Sequence, residues 1–223
     1  MTELRLVSGS SGTEPSPIWE VAGEPPARLP RGRHGLPADL VRAHQRQRLL
    51  EAATTALDEQ GYGRLTASRV TELARVSSRT FYQHFEDLWA CLWTAYESEA
   101  GRLRREIESA CAGVEGEPRA RARAGISAAL SFLASEPAVA RLLSAEPPPQ
   151  IAALAGARRD LVEELSAMLR AILEQGGATP LPGLERRLIG AAMALVSTRA
   201  AGGEPQRLRE LEPELSELLL ATL

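Results

Sequence analysis

The sequence predicts an all-α chain: a small N-terminal three-helix domain joined to a larger helical one. Three observations carry that prediction. Apolar residues recur at three- and four-residue spacing from about residue 39 to residue 222, the period of helix faces. The periodic stretches are interrupted at Gly61, Glu117-Pro118, Glu136-Pro137, Pro147-Pro148-Pro149 and Gly202-Gly203, where helices stop. Hydrophobic residues make up 44% of the 223-residue chain and aromatics only 4%, so its cores must be built mostly of Leu, Ala, Val and Ile.

Residues 1–37 combine Ser-Gly repeats with scattered Pro and Gly and no periodic apolar face, so they are expected to form a disordered arm. Its end carries Arg28, Arg31 and Arg33, a basic flexible stretch of the kind that lies along a minor groove or phosphate backbone. A first helix is expected from about Pro37 or Asp39 to Gln60, with Leu49, Ala52, Ala53, Ala56 and Leu57 on one face and Gly61 as its stop. His44 on this helix is read as solvated, and with His34 and His84 it has no spacing suited to a metal site.

Two short helices joined by a tight turn follow. Val70, Leu73 and Ala74 share a face of the first, and Phe81 and Phe85 share a face of the second, so the two can pack together. Ser77 stands where the second helix begins and can cap its free N–H groups. Ser78, Arg79, Thr80, Tyr82 and Gln83 are left pointing outward. This is a helix-turn-helix layout whose polar face is free to enter a major groove. Thr66, at the start of the first of these helices, can offer its hydroxyl to a phosphate as well as cap the helix. Arg79 has the geometry for a bidentate contact to guanine or for a clamp on a phosphate.

The stretch from Gly61-Tyr62 through Val76-Ser77 to Phe81-Tyr82-Gln83-His84-Phe85 resembles the DNA-binding domain of the tetracycline-repressor (TetR) family. The resemblance implies a recognition helix from Ser77 to His84, phosphate contacts from Tyr82 and His84, and base-edge contacts from Ser78, Arg79, Thr80 and Gln83. Two departures stand out. Arg75 occupies the turn where the family places glycine, and Glu86-Asp87-Leu88-Trp89 offers no cation where the family places a phosphate-binding lysine. A reshaped or strained turn and a missing phosphate contact are the expected consequences. The domain divisions expected are 1–37 for the arm, 38–86 for the helix-turn-helix domain and 87–223 for the helical remainder.

Within that remainder, helices are expected over about 87–112, 118–134, 137–145, 151–175, 183–201 and 205–222. By resemblance it encloses a small-molecule effector and pairs two copies of the chain. Tyr96, Leu103, Ile107, Phe132, Leu165 and Met168 are the candidate pocket residues, and each also suits an ordinary core. The scarcity of polar residues on these faces points to a lipophilic, uncharged effector. Leu184, Leu188, Ala192, Leu195, Leu208, Leu211, Leu215 and Leu218 repeat on the last two helices as a candidate four-helix homodimer interface, with intrachain packing as the other reading.

Charge fits a polyanion partner in one place only. The chain is three negative overall, yet residues 28–85 hold ten Arg against five acids. All of its cations are Arg, which matches a general Arg, Ala and Gly bias. Cys91 and Cys111 fall on one long helix about 30 Å apart at the standard rise, too far to bridge within a chain, and read as structural thiols. There is no Gly-x-Ser-x-Gly, no phosphate-cradling glycine loop and no His-Glu-x-x-His, so an enzyme, a metal site and a bound cofactor are not expected. No apolar run approaches a membrane span and no signal core opens the chain, so a cytoplasmic location is expected. The expected function is a DNA-binding transcriptional regulator, a ligand-released repressor acting as a homodimer on palindromic double-stranded DNA. The alternative is a helical protein-interaction module whose degenerate helix-turn-helix does not grip DNA.

Overall fold

The computed structural model describes residues 37–175, 182–202 and 205–220. Arg28, Arg31 and Arg33 lie outside them, as does the arm to which they were assigned. Nine α-helices run through the described residues: α1 (Ala38–Gln60), α2 (Ala67–Ala74), α3 (Ser78–His84), α4 (Leu88–Ala112), α5 (Pro118–Ser135), α6 (Pro137–Ser144), α7 (Ala152–Gln175), α8 (Leu184–Ala201) and α9 (Glu212–Leu220). No strand occurs among them. The last expected helix is divided: Pro205–Leu211 is a 3-10 helix, and α9 begins after it with Pro213 in its first turn, where a missing N–H costs nothing.

The chain separates into two compact units within α1, at Arg46 and Gln47. The described part of the first unit is the opening of α1, where Arg42 and Arg46 are exposed and His44 is buried rather than solvated. The second unit holds everything from Gln47 onward.

In that second unit one continuous apolar core joins the helix-turn-helix to the helices behind it. Leu49, Ala53, Ala56 and Leu57 of α1 pack in it with Val70 and Ala74 of α2, Phe81 of α3, and Cys91, Leu92 and Tyr96 of α4. The same core runs on through Leu130, Leu142, Leu154 and Leu161 to Leu208 and Leu211. α4 is the shared beam, since its N-terminal half meets the helix-turn-helix residues and its C-terminal half packs along α5 and α7. Asp87 caps it, accepting from the Ala90 amide at 2.7 Å. The acidic Asp87 therefore has a local reason to replace a basic residue there: a carboxylate at a helix N-terminus satisfies an orphan N–H and meets the favourable end of the dipole.

The leucine stripe of the C-terminal helices needs correction. Leu208, Leu211 and Leu215 are buried in the chain's own core and have no surface left for a partner. Leu188 packs beside Leu169 and Leu173, and Ala192 and Leu195 pack on the main core. Of the eight residues expected at the interface, only Leu218 is exposed as a large hydrophobic side chain. The outward side of α8 is lined instead by Arg187, Gly190, Ala191, Ala194 and Thr198. A Cβ added at Gly190 would meet nothing within 4 Å.

Candidate nucleic-acid interface and internal cavity

The helix-turn-helix is assembled from local hydrogen bonds. Thr66 is the N-cap of α2, its hydroxyl accepting from the Arg69 amide at 3.2 Å. Arg69 is then held by Glu59 at 2.9 Å and Glu72 at 3.0 Å, which ties α2 to the end of α1. The turn after α2 is regular. Arg75 sits in the left-handed region at φ 53°, with its amide donating to Glu72 and the Val76 amide donating to Thr71, both at 3.1 Å. Those are the two bonds of a Schellman motif, the commonest helix stop, normally built on glycine. The turn expected to be reshaped is formed with arginine in place of glycine, and the left-handed backbone of Arg75 carries the strain.

Ser77 opens α3, accepting from the Thr80 amide at 3.0 Å, and its hydroxyl lies 2.9 Å from that of Thr80. Phe81 is fully buried, and its ring meets Tyr82 edge-on at 5.2 Å and Phe85 at 5.8 Å. The anchored aromatic pair fixes the helix by one side. On the other side Ser77, Ser78, Arg79, Tyr82 and Gln83 are exposed, while Thr80 and His84 are half-buried; Tyr82 is 61% exposed despite its edge contact with Phe81. Thr66 is exposed on the same domain, and so are Arg64, just ahead of it, and Arg75. Both of these arginines escaped the sequence reading as binding residues. The nearness of Arg64 to the Thr66 cap was the available signal.

Behind this domain lies a cavity of about 140 Å³. It is walled by Leu103, Ile107 and Cys111 of α4, by the face of α5 from Ala122 to Leu133, by Leu165, Met168, Leu169 and Ile172 of α7, by α8 through Ile189, Ala192, Met193 and Val196, and by Leu215. Of the candidate pocket residues, Leu103, Ile107, Leu165 and Met168 line this cavity. Tyr96 and Phe132 are not part of the wall. Tyr96 is buried toward α6, its hydroxyl 3.5 Å from the Leu143 carbonyl, and burial pushes that hydroxyl's pKa well above the usual phenol range. Phe132 lies under the Arg102 guanidinium, 5.1 Å from the ring centre. Gly125 was missed and decides the wall: a Cβ there would stand 2.9 Å from the Cys111 sulfur and 3.3 Å from Ile107. Apart from the Cys111 thiol, itself raised in pKa by burial and donating to the Arg121 carbonyl at 3.5 Å, and the weakly accepting thioethers of Met168 and Met193, the lining side chains are hydrocarbon. An engineered apolar cavity of similar size stays dry and takes benzene.

No cluster of His, Cys, Asp and Glu able to hold a metal occurs among the described residues, and no single helix there is long and apolar enough to cross a membrane. Residues 49–87, the end of α1 through the cap of α4, match the family model of bacterial regulatory proteins, tetR family. Those residues carry the DNA-binding domain of the tetR family. The matched domain supports a DNA-binding transcriptional regulator rather than an enzyme. No curated protein matches the chain. Its fold is shared with solved structures at low identity. The fatty acid degradation regulator FadR of Bacillus halodurans superposes with a TM-score of 0.69 at 17% identity, over 79% of this chain and 94% of that one. FadR of Bacillus subtilis, solved in complex with stearoyl-CoA, gives 0.67 at 19%, over 79% and 98%. A TetR-like regulator of Rhodococcus sp. RHA1 gives 0.65 at 20%, over 88% and 100%.

Proposed function

We propose that this protein is a TetR-family, ligand-released repressor that binds a palindromic operator as a homodimer in the cytoplasm. The observation that carries the reading is the α3 surface: a helix locked by Phe81 on one side and presenting Ser78, Arg79, Tyr82 and Gln83 on the other. Two such helices in successive major grooves require half-sites about 34 to 36 Å apart. Thr66, Ser77, Tyr82 and His84 take phosphates, joined by the exposed Arg64 and Arg75; Ser78, Arg79, Thr80 and Gln83 face base edges. The domain boundary near residue 86 and the basic arm through Arg28, Arg31 and Arg33 belong to the same proposal.

Dimerisation is assigned to the small-residue side of α8, with Gly190, Ala191 and Ala194 allowing close helix approach, together with Leu218 of α9. The cavity supports an effector that is lipophilic where it meets α4, α5, α7 and α8. The stearoyl-CoA held by the Bacillus subtilis FadR makes a fatty acyl chain the first class to try. Such an effector releases DNA only if it binds the DNA-incompetent arrangement better, and about 1 to 3 kcal/mol of coupling corresponds to a 5- to 150-fold drop in operator affinity.

The test is a gel shift on DNA flanking the protein's own gene, with stearoyl-CoA as the first effector probe. Tight, salt-sensitive and palindrome-dependent binding is expected, and Arg79→Ala is expected to cost ~1 to 3 kcal/mol and relax one base position. Absence of binding at low salt by a folded dimer would favour the rival reading, a helical interaction module that no longer grips DNA.

A further inference from the structure

We propose that Arg123, Arg209 and Ser216 form an oxyanion subsite beside the apolar cavity, taking the phosphate group of an amphiphilic effector whose chain fills that cavity. The inference rests on the lipophilic-effector reading above and adds a headgroup to it.

A second pocket, of about 420 Å³, opens between α5 and the C-terminal helices, lined by Arg123, Arg209, Glu212, Pro213, Ser216 and Glu217. It lies on the same two helices as the cavity: Arg123 follows the cavity residue Ala122 on α5, and Ser216 follows the cavity residue Leu215 on α9. Two arginines and two glutamates line one pocket, yet neither guanidinium forms an ion pair among the described residues, although many of the chain's other arginines do. The carboxylates are otherwise placed. Glu212 accepts the Ser127 hydroxyl at 3.0 Å, and Glu217 is exposed to solvent.

Ser216 supplies the independent observation. It is 6% exposed and its hydroxyl has no partner. A helical serine ordinarily satisfies itself on the carbonyl four residues back, as Ser144 and Ser166 do here at 2.6 Å. A buried hydroxyl left open costs free energy unless something fills it. Two exposed arginines and this serine line the one pocket, a donor set suited to a tetrahedral oxyanion, which accepts several charge-assisted hydrogen bonds at once. The cavity by itself, with no polar side chain stronger than a thiol and two thioethers, takes only the apolar part of a ligand. The adjoining pocket is the place for the rest.

The experiment is calorimetric titration of the full chain with a matched pair of probes, octan-1-ol and mono-octyl phosphate, which share a chain and differ in headgroup. Octyl phosphate is expected to bind the unmodified protein roughly tenfold tighter than octanol, the order of one strong charge-assisted contact. Arg123→Ala, Arg209→Ala and Ser216→Ala should each narrow that gap while leaving octanol affinity unchanged, and Arg105→Ala, an exposed arginine of α4, should not alter it. Ser216→Ala removes one unpartnered oxygen and is the variant least exposed to a folding defect. Equal affinity for the two probes, or an advantage that survives Arg123→Ala/Arg209→Ala, overturns the subsite and leaves the lipophilic cavity standing. Failure of both probes to bind overturns the cavity reading and the subsite with it.

Discussion

The guanidinium of Arg48, on α1, donates a hydrogen bond to the carbonyl of Ala74, the last residue of α2. That carbonyl is one of the orphan acceptors at a helix end, and the bond pins the helix-turn-helix turn to the supporting helix across 26 residues of sequence. Replacing Arg48 by Met keeps the aliphatic stem and removes the donor. A loss of about 1 to 2 kcal/mol in urea unfolding is expected, with operator affinity falling as the turn loosens. Unchanged stability would mean that water serves Ala74 equally well.

Arg75 offers the opposite sign. Its φ of 53° is a region where a side chain is disfavoured and glycine is not, and it makes no ion pair among the described residues to compensate. Arg75→Gly is expected to stabilise the fold by about 0.5 to 1 kcal/mol, the αL relief being partly offset by the freer unfolded chain. If Arg75 also contacts a phosphate, the same variant will bind operator DNA more weakly with a smaller salt slope. Thermal melting and a salt-series gel shift read the two effects separately.

These two residues also show what a sequence can reveal here. The caps at Thr66 and Ser77, the buried pair Phe81 and Phe85 and most helix bounds were legible because each depends on neighbours within four residues. Arg48 bonding Ala74 was not, because the partner is distant in sequence. The same limit separates the leucine stripes from their roles. Periodicity marks Leu208, Leu211 and Leu215 as one apolar face but is silent on whether that face meets its own chain or a copy. Tyr96 and Phe132 failed as cavity residues for the same reason: an apolar position on a helix is compatible with a void or with a filled core. Gly125 carried no local signal, since the atom that forbids its Cβ belongs to Cys111 on a different helix.

Glu185 gives the fold an acid-sensitive contact. It is buried in the first turn of α8 and receives the Arg170 side chain of α7, with Nε at 2.9 Å from one oxygen and Nη2 at 3.4 Å from the other. The Arg170 hydrogen bonds hold its carboxyl below the usual carboxylate range. A group whose pKa is lowered on folding stabilises the fold above its unfolded value and ceases to as pH falls through the folded one. The contribution should therefore be intact at pH 7, begin to decline near about pH 4.3, the ordinary glutamate value, and be lost only below the lowered folded value. Glu185→Gln should be less stable than the unmodified protein at neutral pH, and the two should converge in acid. Parallel pH curves would show that Glu185 acts by packing alone.

Gly125 and Cys111 make the sharpest test of the cavity wall. With a Cβ at Gly125 the contact to Cys111 Sγ would be 2.9 Å, closer than unbonded atoms tolerate, so Gly125→Ala must part α4 from α5 or turn the thiol away. Overpacking of this kind costs about 1 to 3 kcal/mol. Cys111→Ala alone opens a small void and also destabilises. In the double variant the new methyl enters space the sulfur has left, against only the 3.3 Å contact with Ile107, so the two losses should add to less than their sum. A double-mutant cycle in urea should return a coupling of about 0.5 to 3 kcal/mol favouring the pair. Strict additivity would place the strain of Gly125→Ala somewhere other than the sulfur, and the α4–α5 approach would then owe nothing to this glycine's contact with Cys111.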